Sequence, residues 1–246
     1  MYTRFAEVYD ALMDDFDYEG WASYYLQLAE RAGVKPKTLL ECACGTGSVA
    51  IALAKMGYRV TGSDLSEQML AEAQVKARKA GVSVPFVKQD MRELALHKPV
   101  DAVISVCDGV NYLLTDRDLM AFLGSAKQTL RPGGVLMFDV STEHKLKAQA
   151  AQGLFFEDRD DLSYFWHNSR EESTGYITMD LSFFMLRPDG LYTRFDEQQT
   201  QKAYTEHALA SALKSAGFSD VYIYGDRNFD APKEGEARIH ITAISI

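Results

Sequence analysis

A regular alternation of short apolar strands and amphipathic helices, beginning at Thr38, constrains the fold more than any other feature of this sequence. Apolar runs are separated by stretches with helical periodicity and by glycine-containing turns. Strands that alternate with helices are joined by right-handed crossovers, so they form a parallel sheet. The strands predicted in this region are residues 38–41, 59–64, 84–87, 100–106 and 135–140.

The pattern becomes β-rich after residue 152. Apolar residues at every second position from Ile177 to Met185 predict a strand, and a Pro-Asp-Gly turn at residues 188–190 leads into another. Thr205 then caps a helix, and strands at 221–224 and 239–246 close the chain. We therefore predict an α/β fold, in which a seven-stranded, mostly parallel sheet ends in a C-terminal antiparallel hairpin and carries a small antiparallel β insertion.

The chain is expected to be one domain over residues 1–246, a length compatible with a single large core. Helices occupy residues 1–36, and the insertion covers residues 153–201. The insertion is expected to act as a lid or as an interface, and a homodimer through it is left open.

Composition and charge exclude several classes of protein. The chain is 47% hydrophobic and 25% charged, which is typical of a globular protein and not of a disordered one. Its apolar runs are too short to cross a membrane, and its N-terminus has no secretory pattern, so a cytoplasmic location is expected. The net charge of −9 argues against binding to nucleic-acid phosphates. The basic run at residues 76–79 is interpreted as the solvated face of a helix end.

No metal site is expected. The three cysteines and five histidines lack metal-ligand spacing, and an odd cysteine count suits a reducing compartment. Asp108 with Asp139 could hold a divalent cation, but the sequence offers no third ligand for it.

The most informative segment runs from Leu39 to Gly47, where a strand leads into a loop of small residues and then into a helix. Small residues let a ligand approach the backbone closely. Residues 45–50 also satisfy the dinucleotide pattern G-x-G-x-x-G/A, and Asp64 lies at a suitable distance to bind a ribose. Asp90 follows the next strand, and two acids at successive carboxyl ends of strands indicate a ligand site at that edge.

These segments together resemble those of class I S-adenosylmethionine-dependent methyltransferases, and more narrowly a branch of small stand-alone bacterial enzymes with a Rossmann-like sheet. The resemblance covers roughly residues 5–140 and the final pair of strands. It rests on Glu41-x-Ala43-Cys44-Gly45-Thr46-Gly47, Val60-Thr61-Gly62-Ser63-Asp64, Gln89-Asp90-Met91, residues 101–111, Leu130-Arg131-Pro132-Gly133-Gly134, Phe5-Ala6-x-x-Tyr9-Asp10 and Leu213-x-x-Ala216-Gly217-Phe218.

The resemblance implies S-adenosylmethionine as cofactor. Glu41 would help to fix the methionine amino group, Asp64 would bind the ribose, and Asp90 would meet the adenine amine. Ala43 stands where the family most often has glycine, which is tolerable if its φ is negative. Tyr9 and Trp21 would cap the site, or would only pack their helices. The residues implied to contact the cofactor are Tyr9, Trp21, Glu41, Ala43, Cys44, Gly45, Thr46, Gly47, Asp64, Leu65, Met69, Gln89, Asp90, Met91 and Cys107.

The methyl acceptor is expected to be a small molecule. Residues 108–112 lack the signature of amino-directed nucleic-acid methylases, and no proline precedes Cys107 as in cytosine methylases. No catalytic base is assigned, although His167 and Tyr204 are candidates for one. The residues expected to meet the acceptor are Asp108, Asn111, Tyr112, Trp166, His167 and Tyr204.

Two alternatives remain open at this point. One is an NAD-dependent oxidoreductase that uses the same glycine loop, although the chain has no Tyr-x-x-x-Lys catalytic pair. The other is a non-catalytic regulator that binds S-adenosylmethionine.

Overall fold

The computed structural model describes residues 4–246, so residues 1–3 of the predicted N-terminal helical region lie outside the described residues. The helices are α1 (Phe5–Leu12), α2 (Tyr18–Arg31), α3 (Ser48–Lys55), α4 (Glu67–Lys79), α5 (Asp116–Thr129), α6 (Glu143–Gln152) and α7 (Glu206–Ser215). The strands are β1 (Thr38–Cys42), β2 (Arg59–Asp64), β3 (Phe86–Lys88), β4 (Val100–Ser105), β5 (Leu130–Ser141), β6 (Leu154–Asp158), β7 (Leu162–Arg170), β8 (Ile177–Leu186), β9 (Tyr192–Gln201), β10 (Phe218–Tyr224) and β11 (Arg238–Ser245).

The central sheet has seven strands in the order β10-β11-β5-β4-β1-β2-β3. Strands β1 to β5 are parallel, and β11 runs antiparallel to both β5 and β10. The predicted α/β architecture with a C-terminal antiparallel hairpin is therefore confirmed. Because the parallel strands share one direction, their carboxyl ends meet at one edge, and the amino end of β11 lies at that edge too.

Helices cover both faces of the central sheet, which is why its strands are apolar on both sides. Helices α5 and α7 pack on one face, and α2 and α3 pack on the other. The predicted cap at Thr205 is confirmed, and Ser66 and Thr115 cap their helices in the same way. Each hydroxyl accepts a hydrogen bond from a backbone N–H in the first turn of the helix that follows.

The predicted antiparallel insertion is a separate four-stranded sheet in the order β6-β7-β8-β9. Its inner face buries apolar side chains of β7 and β8 against helix α1 and against Met69 of α4. The alternating apolar residues of β8 are therefore covered by α1 of the same chain. The inner-face members of this cluster are Leu162, Met179, Leu181 and Phe183, with Phe5, Ala6 and Val8 from α1.

Two local features differ from the sequence prediction. Helix α6 is not predicted, because only Leu146 among its ten residues is buried and no apolar periodicity marks it. Strand β5 begins at Leu130 and takes in the predicted turn at residues 131–134, with a shift in its pairing to β4 between Val100 and Ala102.

Candidate functional site

The loop between β1 and α3 turns through three residues with positive φ. Gly45 and Gly47 have φ of 53° and 72°, and a Cβ on Gly47 would come within 2.7 Å of the Phe86 ring. Ala43 has φ of 52°, so the condition under which alanine would be tolerated at this position, a negative φ, is not met. An L-residue is strained in that region, so the loop holds its shape at a local energetic cost.

Asp64 connects this loop to the end of β2. Its Oδ2 accepts a hydrogen bond from the backbone N–H of Gly45 and its Oδ1 accepts one from that of Ser66, both over 2.8 Å. Burial raises the pKa of Asp64, and the backbone hydrogen bonds oppose that rise. The next side chain, Leu65, is 53% exposed. An exposed apolar side chain beside a buried acid suits the adenosine part of the predicted cofactor.

The three residues predicted to contact the cofactor after β3, Gln89, Asp90 and Met91, differ in burial and in hydrogen bonding. Asp90 is bound by the guanidinium of Arg92 at 2.6 Å, and Arg92 also binds Asp118 at 2.7 Å, so the Asp90 carboxylate already has a cationic partner. Gln89 donates its amide N–H to the carbonyl of Ala95, but its Oε1 is buried with no hydrogen-bond partner. Met91 is partly buried against the core. Gln89 therefore presents the open acceptor here.

Glu41 is buried at the end of β1, with 3% of its surface exposed. Burial raises its pKa to about 8, and its Oε2 has no hydrogen-bond partner. A buried carboxyl with an unmet acceptor suits a cationic or hydrogen-donating ligand group. The unmet acceptor of Glu41 thus fits the role that the resemblance implies for it, which is to bind the methionine amino group.

A polar cluster that the sequence analysis does not predict lies over the glycine loop. Asp10 of α1 accepts hydrogen bonds from the Thr46 hydroxyl at 2.6 Å and from the Lys76 ammonium at 2.6 and 2.7 Å. Lys76 also donates to Thr46 and to Ser48. The interpretation of Lys76 as part of a solvated helix face is therefore wrong. Only its proximity in three dimensions, across 66 residues from Asp10, reveals its role.

A second cluster holds the loop that follows β4. Asp139 accepts hydrogen bonds from the backbone N–H groups of Cys107 and Asp108, over 2.8 and 3.1 Å. Both residues have positive φ, 62° and 65°. The guanidinium of Arg238 bridges the Asp108 and Asp139 carboxylates, and the hydroxyl of Tyr25 donates to Asp139. The guanidinium of Arg238 thus lies between Asp108 and Asp139, where the sequence analysis weighed a divalent cation.

The aromatic residues predicted near the cofactor occupy different surroundings. Trp21 is 5% exposed, stacks on Tyr25 with ring centroids 6.3 Å apart, and lies 5.1 Å from the Arg238 guanidinium. Tyr9 lies near Cys107, Asp108 and Tyr112, and burial is the main cause of a raised pKa of its hydroxyl. Tyr9 therefore joins the predicted cofactor and acceptor sides of the site, whereas Trp21 contributes to the core beneath it. Met69 is likewise buried, in the packing of α4 against α1.

Tyr112 is the predicted acceptor residue that reaches the second sheet. Its hydroxyl donates to Oε1 of Gln199 on β9 over 2.6 Å. Its neighbour Asn111 is fully buried and binds the carbonyls of Ser141 and Lys202, so it positions backbone and does not face the site.

The structure corrects the placement of three further acceptor candidates. Tyr204 is buried in the core and donates to the carbonyl of Leu113, which removes it as a candidate base. Trp166 lies on the same inner face as Leu181, its cross-strand partner on β8. The indole N–H of Trp166 donates to Oδ1 of Asn168. His167 is exposed on the outer face. Trp166 and His167, both expected to meet the acceptor, therefore lie on opposite faces of the sheet, because adjacent residues of a strand point to opposite sides.

Within residues 4–246, no group of three or more His, Cys, Asp or Glu side chains could hold a metal ion. No helix in the same part of the chain is long and apolar enough to cross a membrane. The three cysteines are free thiols.

Known proteins are similar to this chain in sequence and in fold. A family model described as a methyltransferase domain matches residues 39–134, which contain the glycine loop, Asp64 and Asp90. A protein of Geobacillus sp. (strain WCH70) that is assigned as a methyltransferase is 34% identical over 98% of this chain and 98% of its own length. A solved S-adenosylmethionine-dependent methyltransferase from Clostridium acetobutylicum ATCC 824 has a TM-score of 0.86 and 28% identity, covering 99% of this chain and 98% of that chain.

A relative with a named acceptor also matches beyond the methyltransferase-domain region. The dTDP-3-amino-3,4,6-trideoxy-alpha-D-glucopyranose N,N-dimethyltransferase of Streptomyces venezuelae is 33% identical over 89% of this chain and 92% of its own length. Coverage of that extent includes at least part of the four-stranded sheet.

Proposed function

This chain belongs to the S-adenosylmethionine-dependent methyltransferases, and we propose that it methylates a small-molecule amine held between its two sheets. The observation that carries the proposal is the hydrogen bond from Tyr112 to Gln199. It joins the loop after β4, where the methyl group would be presented, to the inner face of the four-stranded sheet. Two further contacts fasten the sheets together there, from the Tyr176 hydroxyl to the carbonyl of Leu114 and from the backbone N–H of Lys202 to the carbonyl of Asn111. Contacts that hold the two sheets together at this point favour a small acceptor over a macromolecule.

Family membership displaces the NAD-dependent oxidoreductase as an alternative, and it favours an enzyme over a non-catalytic regulator. We assign cofactor binding to the loop at residues 43–47, to Asp64 through the ribose, and to Glu41 through the methionine amino group. Leu65 and Gln89 would contact the adenine, and the carbonyl of Cys107 would lie beside the ligand. Asp90 is a weaker candidate than Gln89, because Arg92 already binds its carboxylate.

When bound, the cofactor supplies an activated methyl group on a sulfonium. The protein then has to orient the acceptor lone pair toward that carbon and exclude water. Positioning of this kind lowers barriers by about 7–11 kcal/mol in favourable cases. Tyr9, Tyr112 and the strained turn at Cys107 and Asp108 would do this. The last three residues follow β4 at its carboxyl end, and all three lie close enough to Tyr9 to influence its hydroxyl. An amine that arrives neutral needs no base for the transfer itself.

An amine is favoured over other acceptors by two considerations. The Streptomyces venezuelae relative, which aligns over most of this chain, is named for N,N-dimethylation of an amino sugar. The net charge of −9 would also attract a protonated amine, which gives its proton to solvent before its lone pair can react, and would repel phosphate backbones. We further propose that the chain works as one domain in the cytoplasm, and that any homodimer forms through the four-stranded sheet.

The test has two stages. Titration calorimetry with S-adenosylhomocysteine and with NAD should show one site per chain for the first compound and none for the second. A panel of small amines, phenols and carboxylic acids is then assayed for methyl transfer from labelled S-adenosylmethionine, with transfer expected for amines. Binding of NAD alone would overturn the cofactor assignment. Transfer to phenols or acids but not to amines would overturn the assigned acceptor class.

A further inference from the structure

Strand β9 presents alternating polar side chains whose two faces differ in hydrogen bonding. On the outer face, Asp196 accepts bonds from Ser182 and Arg194, and Gln198 donates to Asp180 over 2.7 Å. On the inner face, Oε1 of Glu197 and Nε2 of Gln199 are buried and have no partner. Buried polar groups are normally satisfied, so two orphans at successive inner positions call for an explanation.

The inner pair adjoins the proposed methyl-transfer region. Gln199 accepts the hydrogen bond of Tyr112, which lies near Tyr9 and belongs, with Cys107, to the segment that follows β4. Glu197 is paired across the sheet with Leu181, and Leu181 with Trp166, so all three lie on the inner face that packs on α1. The orphans thus belong to the side of the sheet that packs on α1, the helix whose Asp10 contacts Thr46 of the cofactor loop.

We propose that Glu197 and Gln199 recognise the hydroxyl groups of a hydroxylated amine, such as an amino sugar, and thereby select the acceptor. The inference rests on the proposed function. Glu197 offers an unmet acceptor, and the amide N–H groups of Gln199 are unmet donors. Their positions are two residues apart on one strand, about 7 Å. A ligand with several hydroxyls satisfies both, because a hydroxyl donates and accepts, whereas a hydrocarbon amine leaves the Gln199 donor unmet.

The two faces of β9 supply matched variants that keep side-chain size. Glu197→Gln turns a carboxylate into an amide, and Gln199→Glu removes the donor. The outer-face controls, Asp196→Asn and Gln198→Glu, make the same kinds of change one residue away. Thermal unfolding and S-adenosylhomocysteine calorimetry on all four proteins report on folding and on the cofactor site separately from acceptor recognition.

Methyl transfer to D-glucosamine is compared with transfer to cyclohexylamine, a ring amine without hydroxyls. The parent protein should prefer D-glucosamine by at least tenfold in kcat/KM. Each inner variant should raise KM for D-glucosamine at least tenfold with a much smaller effect on cyclohexylamine, and the outer variants should match the parent. A residue that only supports the sheet would lower turnover of both amines alike.

Three results would overturn the inference. One is equal use of the two amines by the parent protein, and another is the same behaviour in inner-face and outer-face variants. The third is S-adenosylhomocysteine binding with no transfer to either amine, which would also remove the amine as acceptor. If the parent protein does not bind S-adenosylhomocysteine at all, the proposed function itself fails.

Discussion

The carboxylate of Asp64 accepts a hydrogen bond from the backbone N–H of Gly45, 2.8 Å away, and so links the end of β2 to the loop that leaves β1. The same carboxylate binds the backbone of Ser66, the cap of α4. Asp64 thus organises the proposed cofactor site before any ligand arrives. A carboxylate oxygen has lone pairs beyond those used here, so ribose hydroxyls can add to these contacts.

Replacement of Asp64 by alanine should weaken S-adenosylhomocysteine binding at least tenfold. Hydrogen bonds to charged groups contribute about 1.5–3 kcal/mol, and the variant removes those to the loop as well as those proposed to the ribose. Calorimetry measures the effect, with Asp189→Ala in an exposed turn of the four-stranded sheet as control. An unchanged dissociation constant in a folded Asp64→Ala protein would show that the ribose is bound elsewhere.

Glu41 should make the stability of the ligand-free protein fall as the pH rises from about 5 to 8. Burial raises its pKa from 4.5 to about 8, so over that range the folded state keeps a proton that the unfolded state has lost. The contribution is fully present below pH 4.5 and is lost as the pH rises through about 8, a change on the order of 5 kcal/mol. Urea unfolding of the parent and of Glu41→Gln at several pH values measures it.

The difference in unfolding free energy between Glu41→Gln and the parent should therefore move in favour of the variant as the pH rises. A constant difference across the range would contradict the raised pKa. Cofactor binding supplies a second measurement. A methionine ammonium placed beside Glu41 should make the Glu41 carboxyl release its proton near pH 7. Calorimetry in buffers of different ionisation enthalpy detects that proton.

Arg238→Met should destabilise the protein by about 3–5 kcal/mol, the usual effect of leaving a buried charge without its partner. Asp139 is fully buried, and both it and Asp108 are bound by Arg238. Adding Asp108→Asn to the Arg238→Met protein should recover part of the loss, because one of the two carboxylates is then neutral. The exposed pair of Arg187 and Asp189 provides a control, with an expected effect of Arg187→Met below about 1 kcal/mol.

Ala43→Gly should stabilise the protein by up to about 1 kcal/mol. The left-handed conformation costs an L-residue about 1–2 kcal/mol, and glycine escapes that cost while losing more backbone entropy on folding. Ala71→Gly, at an exposed position inside α4, should destabilise by about 1 kcal/mol. Urea unfolding of the two variants gives opposite signs if Ala43 is strained and the same sign if it is not.

Trp166 and His167 should respond differently to alanine. Trp166 is half-buried on the inner face, so its removal should cost roughly 1–3 kcal/mol and impair acceptor turnover. His167 is exposed on the outer face, and its removal should change stability by no more than about 0.5 kcal/mol and leave methyl transfer at the parent level. A large loss of transfer in His167→Ala would contradict this placement.

Much of the fold could be predicted because its signals are local. The hydroxyl caps at Ser66, Thr115 and Thr205 act within one helical turn, and the alternation of apolar strands and helices follows from periodicity along the chain. The central sheet and the antiparallel insertion were therefore accessible from the sequence. Helix α6 was not, because a helix with a single buried residue leaves no periodic pattern.

Where the chain turns and which strand ends carry acids, as at Asp64, could be predicted, since these properties depend on neighbouring residues. Which distant groups meet depends on the packing of the whole fold. Long-range packing brings Lys76 to Asp10 and Arg238 to Asp139. Strand register places Trp166, but not His167, on the inner face. Register places a side chain on one face or the other, and a shift of a single residue would exchange the two faces.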